Sequence, residues 1–253
     1  MSMTSLTIEP KVLFSYPSAK DFTSILNTVA EIVDETLINV TQSGIEVKAL
    51  DPARVSMLMV RLPPEAFQDF KVDSEIRIGL AVSNLVKILK NLKKSDRIVI
   101  GANEEFVEIV IEGTTIRRYK FKNIEVISEE VPELSPEFDV EATVLSSPFR
   151  TALSELSSIC STIGISAKQD MITLFDYDNK RSQYRLTTSA GNIVSLSIKA
   201  EVTAAYDSEY LAKILDILRL SNIAELKYGS NAPLYLSVEF SGGKAEYYLA
   251  SKI

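Results

Sequence analysis

An α+β fold of antiparallel sheets with helices on one face follows from three features of the sequence. Four segments carry apolar residues at helical spacing, many short stretches alternate apolar and polar residues, and neighbouring stretches lie too close together for a crossover helix between them. The same succession of elements occurs twice, so the 253 residues read as two similar domains.

Along the chain, Ser18 to Val33 is predicted as the first helix, with Phe22, Ile25, Leu26, Val29 and Ile32 forming its apolar stripe. Alternation then predicts strands at Ile45 to Leu50, Arg97 to Ile100, Val107 to Ile111 and Leu234 to Phe240. A second helix is expected over Ser83 to Ser95, with Leu85, Ile88, Leu89 and Leu92 inward and Lys87, Lys90 and Lys94 on the other face. Ser147 to Cys160 (Phe149, Leu153, Leu156, Ile159) and Ser208 to Leu220 (Leu211, Ile214, Leu215, Leu218) read as the third and fourth helices. Each helix begins near a serine or aspartate able to cap it. Turns are signalled at Gln42-Ser43-Gly44, Ala102-Asn103-Glu104, Asp178-Asn179-Lys180 and Ser241-Gly242-Gly243.

The duplication is visible in particular residues. SNLVKILKNL from Ser83 matches SEYLAKILDIL from Ser208, and at nearly the same offset Phe22 matches Phe149 and Ile45 to Leu50 matches Ile172 to Tyr177. Between the copies, Ile124 to Pro136 is acidic, contains two prolines and keeps no period, so it reads as an extended linker, the alternative being a disordered insertion. The expected division is therefore residues 1–123, a connector at 124–136, and residues 137–253.

Composition excludes whole classes of chemistry. There is no histidine, so triads, Cys-His nucleophiles and imidazole metal sites are impossible. The single cysteine, Cys160, can form no internal disulfide, and its apolar neighbours suggest a buried, inert thiol. Carboxylates at Glu104-Glu105, Glu129-Glu130 and Asp176 to Asp178 could in principle serve acid/base or cation chemistry, but nothing makes them converge. Gly242-Gly243-Lys244 lacks the upstream glycine of a phosphate loop and reads as a hairpin turn. No enzyme, cofactor or metal is expected. With no basic start and no long apolar run, the chain reads as a soluble intracellular protein without a membrane partner.

The chain is acidic, 34 Asp and Glu against 27 Lys and Arg, for a net charge of −7. Against that background Lys87, Lys90 and Lys94, with Lys93 at their edge, form a local reversal of sign. Two readings are open for it: a surface that meets phosphates, or a solvated helix face. Lys20, Arg150, Lys213 and Arg219 occupy comparable places on the other helices, and few aromatics accompany them, so stacking on single-stranded bases is unsupported.

The run Gly44-Ile45-Glu46-Val47-Lys48-Ala49-Leu50-Asp51-Pro52-Ala53-Arg54-Val55, followed by the lysine-rich segment from Ser83, resembles the signature region of the proliferating cell nuclear antigen family of sliding clamps. The C-terminus, Ser230-Asn231-Ala232-Pro233-Leu234 and Glu246-Tyr247-Tyr248-Leu249-Ala250-Ser251-Lys252-Ile253, is similar to that family's closing strand and tail, with Ser251 where proline is usual. The resemblance spans the chain and implies the DNA clamp fold, with three subunits in a closed ring around duplex DNA, held without regard to sequence. The subunits would be identical or paralogous, located in the cytoplasm and nucleoid or in a nucleus. It implies that Lys20, Lys87, Lys90, Lys94, Arg150 and Lys213 face the DNA. It implies a pocket at Leu50, Arg54, Val55, Met57, Val131, Leu134, Pro233, Tyr248, Leu249 and Ala250 for short peptide motifs of DNA polymerase, clamp loader, flap endonuclease and DNA ligase. It also implies subunit contacts through the strands at Ile116 to Lys122 and Ser182 to Thr188, with Tyr119 and Tyr184 at or near the interface. Read without the family, the pocket residues could simply fill strand ends, and Tyr119 could be a core-facing aromatic.

Overall fold

Ser18 opens the first helix as a cap: its hydroxyl accepts the Asp21 amide at 3.2 Å, and α1 runs from Ala19 to Ala30. Phe22, Ile25, Leu26 and Val29 are buried along one side, as their spacing requires. The structure is a computed structural model that describes residues 6–127, 134–230 and 232–252. By packing, the chain divides into two units: Met1–Ala49, Met59–Glu130 and Ser241–Lys244 form one, and Leu50–Leu58, Val131–Phe240 and Ala245–Ile253 form the other.

The first unit begins with β1 (Val12–Tyr16), which pairs with β5 (Asp69–Val72) and β7 (Arg97–Ala102). Adding β8 (Phe106–Glu112) and β9 (Ile116–Lys122) gives an antiparallel sheet in the order β5-β1-β7-β8-β9. A second run of strands, β2 (Thr36–Thr41), β3 (Gly44–Leu50), β4 (Ser56–Leu62) and β6 (Ile76–Leu80), is ordered β4-β3-β2-β6. The β2–β3 turn needs its glycine: Gly44 has φ +126°, and a Cβ there would lie 2.3 Å from the Leu62 carbonyl oxygen. At the β7–β8 turn, the Asn103 side-chain oxygen accepts the Glu105 and Phe106 amides at 3.0 and 2.9 Å. Phe14, Tyr16, Phe22 and Phe67 form an aromatic core, with the Phe14 and Phe67 rings 5.3 Å apart edge-on.

The second helix is shorter than its lysine spacing predicts. α2 covers only Val82–Ile88, with Leu89 as its C-cap, and Asn91 takes a left-handed backbone at φ +57° that no helix can continue through. Lys90 and Lys94 therefore follow the helix instead of decorating it, and Ile88 is 38% exposed instead of inward. Like charges at Lys87, Lys90, Lys93 and Lys94 would have opposed the extra turns.

The second unit repeats the first strand for strand. It contains β10 (Val140–Leu145), α3 (Ser146–Ser157), β11 (Thr162–Lys168), β12 (Met171–Asp176), β13 (Gln183–Thr187), β14 (Ile193–Ile198) and β15 (Thr203–Asp207). α4 (Ser208–Ala212), β16 (Ile223–Gly229), β17 (Ala232–Phe240) and β18 (Gly243–Leu249) follow. The order β14-β10-β16-β17-β18 reproduces β5-β1-β7-β8-β9, and β13-β12-β11-β15 reproduces β4-β3-β2-β6. Helix ends again depart from expectation. α3 stops at Ser157, where serine hydroxyls take the Leu153 and Glu155 carbonyls, so Ile159 is 60% exposed and not part of the apolar stripe. α4 is one short turn, followed by a 3₁₀ segment at Ile217–Leu220. Cys160 is half-buried, not buried, and its thiol donates to the Leu156 carbonyl. No helix among the described residues is long and apolar enough to cross a membrane.

Candidate docking loop, basic positions and sheet edges

The loop between β3 and β4 is organised by a buried carboxylate. Asp51 is 3% exposed; its Oδ1 accepts the Val55 and Ser56 amides at 2.7 and 2.5 Å, and its Oδ2 accepts the Ala53 amide at 3.0 Å. Oδ2 also accepts the Tyr210 hydroxyl, from α4, at 3.1 Å. Burial and the Asp51 carboxylate together push the Tyr210 phenol above its ordinary pKa. These bonds hold Arg54 at φ +57°, a conformation costly for a side chain with a Cβ, and Arg54 is exposed. Sequence reasoning gave Asp51 and Tyr210 no role; the Asp51-Pro52 pair was the available sign, since it marks a turn.

The tail is pinned against this loop. The Ala250 amide donates to the Val55 carbonyl at 2.9 Å, and the Lys252 amide donates to the Ala205 carbonyl at 2.8 Å. The Lys252 ammonium lies 3.3 Å from the Asp207 carboxylate. Leu50, Val55, Pro233 and Tyr248 are half-buried, and Tyr248 stands edge-on to Tyr235 with ring centres 5.0 Å apart. Ala250 and Leu134 are exposed. Met57 and Leu249 are 3% and 0% exposed, so they support the strands from within and offer no surface to a ligand. Val131 lies outside the described residues. Half-buried apolar side chains beside an exposed tail backbone can receive apolar anchors and main-chain hydrogen bonds of an incoming peptide.

The basic positions fall into two kinds. In the first unit, Lys20, Lys87, Lys90 and Lys94 are all exposed; Lys20 lies in the first turn of α1, and the Lys87 ammonium donates to the Asn84 side-chain oxygen at 3.2 Å. In the second unit the cations are already engaged. Arg150 is half-buried and its Nε donates to the Leu215 carbonyl at 2.9 Å, satisfying a backbone acceptor just after α4. Burial and the nearby Arg219 lower its guanidinium pKa. Lys213, half-buried, sits 4.4 Å from the centre of the Tyr210 ring.

Tyr119 lies on β9 and Tyr184 on β13, each strand at the end of its sheet, and both side chains are half-buried. The Tyr184 hydroxyl donates to the Glu155 carboxylate of α3, which raises its pKa.

Comparison with known proteins gives these features a common setting. A family profile described as proliferating cell nuclear antigen, N-terminal domain, matches residues 16–131. The DNA polymerase sliding clamp 1 of Sulfolobus acidocaldarius is 33% identical over 242 residues, covering 94% of this chain and 98% of the relative. The DNA polymerase sliding clamp of Thermofilum pendens is 30% identical over 240 residues, covering 94% and 97%. Among solved structures, the chain superposes on a proliferating cell nuclear antigen from Thermococcus kodakaraensis with a TM-score of 0.86 at 25% identity, over 95% of this chain and all of that one. A PCNA2-PCNA3 complex from Sulfolobus tokodaii shares the fold at TM-score 0.88 and 24% identity, over 95% and 99%.

Proposed function

The chain belongs to the proliferating cell nuclear antigen family of DNA polymerase sliding clamps, and on that premise we propose that it is one subunit of a ring that encircles duplex DNA and tethers DNA polymerase as a processivity factor. The observation that carries this reading is the duplicated topology: each unit repeats the same two sheets and the same pair of helices, over the full length of clamp relatives. Enclosure retains DNA without strong affinity, which suits a chain of net charge −7.

In this reading residues 1–123 and 137–253 are the two clamp domains and 124–136 their connector. Lys20, Lys87, Lys90, Lys94, Arg150 and Lys213 face the duplex. The exposed lysines of the first unit make the readier phosphate contacts, because Arg150 and Lys213 first hold their own protein neighbours. Leu50, Arg54 and Val55 on the loop and Tyr248 and Ala250 on the tail, with Pro233, Leu134 and Val131, receive short peptide motifs of polymerase, clamp loader, flap endonuclease and DNA ligase. Tyr119 and Tyr184 stand at the subunit contacts. The clamp itself performs no catalysis and works inside the cell, wherever the chromosome lies.

Retention on DNA tests the proposal. The assembled ring, formed by this chain alone or with paralogous subunits, is loaded onto nicked circular DNA and the complex is passed through a sizing column before and after linearisation. Retention on the circle and loss from the linear form are expected. Equal retention on both forms would refute encirclement.

A further inference from the structure

We propose that the second unit carries a phosphate site at the start of α3, where Arg150, Arg219 and the hydroxyls of Ser146 and Ser147 line one cleft and take a free phosphate or a terminal phosphate monoester. The site lies within one unit and does not depend on whether the chain joins a ring.

The duplication supplies the comparison. Ser18 stands before α1 and Leu145 before α3. The first amide of each helix donates to a carbonyl just ahead of a strand, Ala19 to Asp96 at 2.6 Å and Ser146 to Asn222 at 2.9 Å. From there the surroundings diverge. The cleft beside α1 is lined by the carboxylates of Asp69, Asp96 and Glu112 around Arg97, which pairs with Asp69 and Glu112. The Ser18 hydroxyl caps that helix, and Asp21 places an acid in its first turn. The cleft beside α3, about 480 Å³, is lined by Arg150 and Arg219 with Ser146, Ser147, Ser221 and Asn222, and no carboxylate is in its wall. Leu145 offers no side-chain cap and the first turn of α3 holds no acid, so the positive end of this helix is uncompensated.

Two independent observations point to a ligand there. Ser146 is 2% exposed, and its hydroxyl has no hydrogen-bond partner among the described residues, an arrangement that stays costly until an oxygen meets it. Arg150 is half-buried and uses only Nε, on the Leu215 carbonyl; its two NH₂ groups have no partner among the described residues. The guanidinium charges are also unequally matched. Burial first and Arg219 second lower the Arg150 pKa, while Asp216, 3.2 Å from Arg219, offsets only one of the two cations. The remaining charge, beside the helix end and two serine hydroxyls, is the setting that draws a phosphate. DNA offers the same chemistry from a second source. A backbone diester keeps fewer free oxygens and is carried on a stiff duplex, whereas a free ion or terminal monoester has oxygens enough to meet the recessed Ser146 and both guanidiniums together.

Calorimetric titration of inorganic phosphate into the purified full-length chain, at mildly alkaline pH and constant ionic strength, tests this. Saturable binding at a single site is expected, and Arg219→Gln should weaken it about tenfold or more. Arg219 is exposed, so its replacement leaves the packing in place. Ser146→Ala should weaken binding about three- to tenfold. Without phosphate that variant should melt at or slightly above the parent, because it deletes a buried hydroxyl that no protein group satisfies. A Ser146→Ala chain that melts well below the parent would give the hydroxyl a structural bond and overturn the proposal. Phosphate binding that is absent, does not saturate or is untouched by both substitutions would overturn it as well. The Ser146→Ala chain is also titrated with a duplex lacking terminal phosphates, and is expected to bind it as the parent does. Weakened duplex binding with no binding of inorganic phosphate would assign the cleft to the DNA backbone and overturn the proposal.

Discussion

Replacing Asp51 with asparagine changes one atom and tests whether the β3–β4 loop is a built docking element. Each carboxylate oxygen of Asp51 accepts two bonds: Val55 and Ser56 amides on Oδ1, the Ala53 amide and the Tyr210 hydroxyl on Oδ2. Asparagine keeps one acceptor and turns an NH₂ group toward the remaining donors. The cheapest arrangement leaves the amide oxygen on Val55 and Ser56 and lets the Tyr210 hydroxyl rotate to accept, which strands only the Ala53 amide. A buried donor so stranded costs about 1–3 kcal/mol. Ala53 is itself exposed, so water can reach its amide and the low end applies. For a chain of this size each kcal/mol lowers Tm by about 2–4 °C, so Asp51→Asn should melt about 2–4 °C below the parent. With Arg54 no longer held at positive φ and Val55 free to drift from Ala250, binding of a short peptide with apolar and aromatic anchors should weaken about tenfold for each 1.4 kcal/mol of ordering then required on binding. Tyr210→Phe removes one of the four bonds and should cost about 0.5–1.5 kcal/mol. Because the two residues share that bond, the double variant should lose less than the sum of the singles. Thermal unfolding and calorimetric titration measure both effects. An Asp51→Asn variant that melts with the parent and binds the peptide unchanged would refute the assignment.

Two further outcomes concern the basic positions and the thiol. Substituting Lys87, Lys90 and Lys94 together by alanine should reduce the slope of log affinity against log salt for duplex DNA by about 0.9 for each phosphate contact removed; an unchanged slope would place these lysines away from DNA. Burial, and secondarily the Asp176 carboxylate, push the Cys160 thiol above the ordinary value of 9.0, so less thiolate exists at any given pH than in a free thiol. Alkylation followed by mass spectrometry at mildly alkaline pH should therefore run slower than for a small model thiol, with the gap narrowing as pH rises; equal rates would contradict the buried setting.

What the sequence revealed and what it hid divide along physical lines. Apolar periodicity located the four α-helices of the described residues and the strands at Ile45, Arg97, Val107 and Leu234, because burial of one face is written residue by residue. It overran the helix ends, where the outcome depends on a left-handed Asn91 and on serine hydroxyls competing for carbonyls, neither of which alters the period. The same limit applies to the docking loop. Leu50, Val55 and Tyr248 were placed by resemblance to a motif, but Met57 and Leu249 proved to be core, since a strand's inner and outer residues look alike when both are apolar. Asp51 was invisible as an organiser because its partners are backbone amides and Tyr210, which lies far away in sequence.

Retention on DNA cannot rest on affinity in this chain. The net charge is −7, and the cations at Arg150 and Lys213 are already engaged with a carbonyl and an aromatic ring. Each contact with a phosphate is lost readily as salt rises. If polymerase is nevertheless to stay on its template, a closed ring has to hold it there, and the ring's persistence, not its grip on phosphates, sets how long it stays.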